Sequence, residues 1–163
     1  MLAKKIFIGI DESRIPWILE SGNVALEPLG GSKYPMIDTH VHAVNFLQET
    51  PGFENLISHM DGANIKKAVV FWLPVTKQWS EYERESPEYY LDDDSECYYY
   101  SATDTIVAEE YKKLSPENQD RLYPLICGFN PADKHAIKHI ERMYRLYPGI
   151  WSGIGEILLR HDD

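Results

Sequence analysis

The sequence predicts an α/β fold in which a parallel sheet alternates with helices. Two runs, Ala68–Leu73 and 121–129, are apolar almost throughout and of strand length, as suits strands covered on both faces. Between the strands lie segments with apolar residues at helical spacing. The order strand–helix repeats four times, with the last helix absent, and such alternation favours a parallel sheet with crossover connections. On its own it fits either a doubly wound sheet or a barrel.

The elements follow in order. Residues 1–34 form a leader, with a short strand near Lys5–Ile10, an irregular stretch holding Pro16 and Pro28, and a Gly30-Gly31 break. The apolar run after Lys4-Lys5 is five residues long and meets Asp11-Glu12 at once, which is too short for a signal-peptide core. Residues 35–163 form the main domain. Met36–His42 reads as the first strand. Thr50-Pro51 then opens a helix, threonine as N-cap and proline in the first turn, with Phe53, Leu56, Ile57 and Met60 on one face and Gly62 or Asn64 at its end. Residues 67–73 give the second strand. The next helix spans about 102–114, opened by Ser101 and Asp104 in a capping-box-like pair and striped by Val107, Tyr111 and Leu114. Residues 121–129 give the third strand. Asn130-Pro131 opens the following helix, with Ile137, Ile140, Tyr144 and Tyr147 as its inward face and Pro148-Gly149 as its stop. The fourth strand lies near 150–157.

Composition narrows the function. The chain has 163 residues, 44% apolar and 26% charged, as expected of a folded domain. Its net charge of -10 argues against a nucleic-acid groove. No apolar run approaches the ~20 residues that span a bilayer, so no membrane association is expected. Cys97 and Cys127 match no zinc motif, and a cytoplasmic location with reduced thiols is the expectation.

Asp38-Thr39-His40-Val41-His42 is the most informative stretch. Alternate strand residues share a face, so His40 and His42 can converge on one divalent metal ion. Asp38, two residues before, could hold an imidazole tautomer from behind or make a local turn bond. The pair ends a strand of buried type, the rim at which parallel α/β proteins place their chemistry.

The segment Tyr34–His42 resembles the first strand of the amidohydrolase superfamily, in particular amidohydrolase family 2. The likeness extends over about residues 34–163: 61–70 resemble the first helix end and second strand, 121–131 the third strand and its turn, and Gly153-Ile154-Gly155-Glu156 the fourth. The resemblance implies the first half of a (β/α)8 barrel of TIM type. It implies a metal-dependent hydrolase acting through metal-activated water on a C–N, C–O or P–O bond of a small-molecule substrate. It implies one or two divalent ions, zinc first among them, held by His40, His42 and Glu156, with Glu156 as the bridging carboxylate. Decarboxylases of the same family give the alternative chemistry. The family's later strands add two histidines and an aspartate that have no counterpart here. A barrel typically takes ~250 residues. The chain is therefore expected to lack its C-terminal half or to pair with a second copy as a homo-oligomer, and a non-catalytic half-barrel assembly module is the rival reading.

Weaker signals complete the set. Arg160 and His161 follow the fourth strand closely enough to meet a substrate, and Trp72 could line a pocket or belong to the core. His135 and His139, four apart, fall opposite the predicted apolar stripe and read as a solvated face. His59 reads as a packing or surface residue. Residues 81–96 hold eight acids against one base, Arg84, most of the net charge of the chain, with tyrosines interleaved on both sides of them. So long a connection after the second strand is read as a lid or subunit contact at the rim.

Overall fold

The computed structural model describes residues 32–45, 47–77, 82, 84, 97–99 and 102–158. The leader strand, Arg160, His161 and most of the acidic connection lie outside the described residues. In chain order the elements are β1 (Met36–His42), α1 (Phe53–Gly62), β2 (Ile65–Phe71), β3 (Val75–Lys77), β4 (Cys97–Tyr99), α2 (Ala102–Lys113), α3 (Pro116–Gln119), β5 (Leu122–Ile126), α4 (Ala136–Leu146) and β6 (Gly153–Ile154). Four strands form one parallel sheet in the order β1-β2-β5-β6, so each βα unit sets its strand beside the previous one. β3 and β4 pair separately as a short antiparallel ribbon at the two ends of the acidic connection.

The core lies on one face of the sheet. Ala68 and Val70 of β2, and Leu122, Pro124 and Ile126 of β5, are buried, while the alternating Val69, Tyr123 and Leu125 are half-covered. This is the period-2 signature of a sheet covered more fully on one side. Phe53, Ile57 and Met60 of α1 and Val107 and Ala108 of α2 complete that core, with Trp72 at its centre. Trp72 is fully buried, and its ring sits 6.4 Å from that of Phe53. It is therefore a core residue, and the pocket-lining reading is corrected.

Two helix starts differ from the sequence reading. α1 begins at Phe53, with Gly52 as N-cap, because Thr50 Oγ1 instead accepts the Gly52 N–H in a local turn. Asn130-Pro131-Ala132-Asp133 forms a turn, with Asn130 Oδ1 accepting from Ala132 and Asp133 Oδ1 from His135. α4 follows only at Ala136. The side chains chosen as helix caps do cap backbone N–H groups, but in preceding turns. α3 was not foreseen; Ser115 Oγ accepts from Asn118 and Pro116 opens its first turn.

The larger correction concerns α4. Ile137 and Tyr144 are 56% and 44% exposed, whereas His139 and Met143 are buried. The helix is turned so that His139 faces inward, with Ile140 and Tyr147 flanking it. The solvated reading of His139 fails because Asp104, buried on α2, offers it a carboxylate oxygen at 2.6 Å. A buried charge without such a partner is costly, and the pair overrides the apolar pattern. His135 is exposed, as read, and so is His59, whose Nδ1 lies 2.7 Å from the Asn55 carbonyl oxygen.

Candidate metal centre

The histidines sit at the end of β1, where its pairing with β2 slips between Asp38 and Val41. Such an irregularity re-aims side chains. Asp38 Oδ1 accepts the His40 backbone N–H at 3.0 Å, so Asp38 makes the local turn bond, one of the two roles open to it. It stabilises the slip and acts on His40 through the backbone. The His40 and His42 rings then lie 4.9 Å apart. Phe71, at the end of β2, presents itself edge-on to both, at 4.7 Å and 5.3 Å between centroids. Its ring limits how far either imidazole can swing.

Glu156 arrives from the other edge of the sheet. Gly155 donates its N–H to the Ile126 carbonyl at 2.8 Å, which fixes the end of β6 to that of β5. Gly155 has φ 142°, a backbone region that glycine enters without strain, and the Gly155–Glu156 peptide is cis. Glu156 Oε2 stands 3.0 Å from His42 Nε2 and 3.6 Å from His40 Nε2.

Three strand spacings separate β1 from β6, about 14 Å in a flat sheet. Side chains standing off a flat sheet would not meet across that distance. The sheet must curl for these to do so, and the rim at its C-terminal end closes inward on the three residues.

One ligand atom from each of His40, His42 and Glu156 lies within 4.8 Å of the others. Donors of a tetrahedral zinc site with bonds of 2.0–2.1 Å stand about 3.3 Å apart. The two measured separations, 3.0 and 3.6 Å, bracket that value. Two imidazoles and a carboxylate also form a donor set suited to a borderline divalent ion, and three protein ligands leave a position open, as catalytic sites do. His40 is half-exposed and the other two less so, which gives the centre access to solvent. The His42 hydrogen bond, aided by the nearby His40, holds the Glu156 carboxyl below its ordinary pKa against the opposing effect of partial burial. The carboxylate is thus ionised and ready to ligate.

The ribbon reaches this rim. Tyr99 on β4 donates its hydroxyl to the Leu158 carbonyl at 3.0 Å, two residues beyond Glu156. The base of the acidic connection is therefore fixed beside the centre.

Sequence reasoning missed Asp104 as anything but a helix cap. Its carboxylate is fully buried and accepts from Trp72 Nε1, the Cys127 and Gly128 N–H groups and His139. A signal existed. Asp104 shares a helical face with Val107 and Ala108, so an inward-facing helix carries it into the core, and a buried tryptophan needs an acceptor for its N–H. Burial, with the Asp104 charge beside it, pushes the Cys127 thiol well above its ordinary pKa. Comparison with known proteins returns no family model, curated protein or solved structure that matches the chain.

Proposed function

We propose that the chain forms an arc of a (β/α)8-type barrel whose rim holds a divalent metal, zinc first, for hydrolysis of a small-molecule substrate. The observation that carries this reading is the convergence of His40, His42 and Glu156 from opposite edges of a parallel sheet, with one ligand atom of each within 4.8 Å of the others. The resemblance of residues 34–163 to the amidohydrolase superfamily supplies the reaction class. A bound divalent ion at this centre supplies Lewis-acid activation of water and substrate.

The chain's own residues do the rest. His40 and His42 would offer their Nε2 atoms, Glu156 would add negative charge to balance the cation, Phe71 packs against both imidazoles and Asp38 fixes the His40 backbone. Edge strands β1 and β6 carry the exposed side chains Ile37 and Ile154, 66% and 48% exposed. Those edges suit completion by further strands, either more chain or a second copy, because an open strand edge templates pairing. No helix among the described residues is long and apolar enough to cross a membrane.

The test is metal uptake. Wild-type chain dialysed against zinc and then against buffer is expected to retain about one equivalent or more. A chain carrying both His40→Ala and His42→Ala is expected to retain none. A wild-type chain without metal, or a double variant that binds equally, would reject the centre.

A further inference from the structure

Asp104 touches no member of the metal centre, yet its bonds lead to both halves of it. Its Oδ1 accepts from Trp72 Nε1 at 2.9 Å. Trp72 follows Phe71, the residue packed edge-on against both histidines. The Phe71 carbonyl also accepts the Ala43 N–H, one residue beyond His42. On the other side, Asp104 accepts the Cys127 N–H at 3.0 Å and the Gly128 N–H at 3.1 Å. Cys127 follows Ile126, whose carbonyl holds Gly155 beside Glu156. The Cys127 thiol donates to the Trp72 carbonyl at 3.1 Å and closes the triangle.

We infer that Asp104 is the positioning residue of the metal centre, holding the histidine arm and the glutamate arm in one frame. This rests on the metal reading of His40, His42 and Glu156. Asp104 gathers donors from the chain ends of β2 and β5 and from α4, and the first two strands are the sheet neighbours of β1 and β6, which carry the ligands. His139 steadies the carboxylate from α4 at 2.6 Å. Gly128 lets the backbone approach it, since a Cβ there would stand 2.9 Å from Asp104 Oδ2.

Cobalt(II) titration of the full chain tests the role, because its visible absorption reports ligand geometry as well as occupancy. Asp104→Asn keeps the side-chain volume and removes the charge. It is expected to weaken cobalt binding by about tenfold, the low end of what loss of an outer hydrogen-bonding partner costs. It is also expected to shift the absorption bands at saturating metal. A loss of fold stability alone would leave the saturated spectrum of the folded chain as in wild type. Should Asp104→Asn fail to fold, His139→Ala removes the α4 anchor at the edge of the core, and the same band shift with a severalfold loss of affinity is expected. Wild-type spectra and affinities in a folded variant overturn the inference while leaving the metal centre standing. A wild-type chain that takes up no cobalt overturns both.

Discussion

Glu156 binds its proton more weakly in the folded chain than in the unfolded one, because the His42 hydrogen bond favours the carboxylate. The pairing therefore adds stability above the ordinary glutamate pKa of about 4.3, and that stability is lost as pH falls through the lowered value. Urea midpoints measured from pH 7 to pH 3 should fall less steeply in Glu156→Gln than in wild type. Cys127 has the opposite sign. Its folded pKa is raised by burial, so its contribution is full below about 8.5 and is lost as pH rises further. The buried thiol should resist a disulfide reagent in the native chain at pH 8 and react on unfolding, and rapid native labelling of Cys127 would contradict its burial. Gly128 answers to space: the added methyl of Gly128→Ala meets the Asp104 carboxylate at 2.9 Å and should cost about 1–3 kcal/mol, read as a lower urea midpoint at unchanged slope.

At the scale of elements, α1 is the clearest case of sequence dictating packing. Phe53, Ile57 and Met60 recur at helical spacing and are the residues it buries. Phe53→Ala should cost about 3–5 kcal/mol, since the ring is 1% exposed and lies against Trp72. Arg121 joins two elements, donating to Asp61 of α1 at 2.8 Å and to the Ile65 and Lys66 carbonyls of β2. The parallel strands and three of the helices were legible because continuous apolar runs and helical stripes are local signals. The helix starts were displaced because Thr50, Asn130 and Asp133 serve turns as readily as helices. The inward face of α4 was not legible, because a charge on α2 decides it. His40, His42 and Glu156 could be named from strand-end position and family likeness, but their meeting depends on the curl of the sheet, which no single segment encodes. Asp104 was overlooked because its partners come from residues 72, 127, 128 and 139, far from it in the chain.

For the whole molecule, metal and stability are linked. An ion that binds the folded chain alone adds about 2.7 kcal/mol at a hundred times its Kd. Zinc should raise the melting temperature of wild type, a chelator should reverse the rise, and the His40→Ala/His42→Ala chain should show neither effect. The curled sheet also has a kinetic consequence. His42 and Glu156 are 114 positions apart, so their pairing closes nearly the whole described chain into one loop. Contacts of such long range form late in folding, because loop entropy must be spent before they return anything. The β1–β2, β2–β5 and β5–β6 pairings all need shorter closures, which leaves the meeting of Glu156 with the β1 histidines as the final step. A ligand that fastens this late contact acts mainly on escape from the native state: it should slow unfolding and leave the rate of folding nearly unchanged.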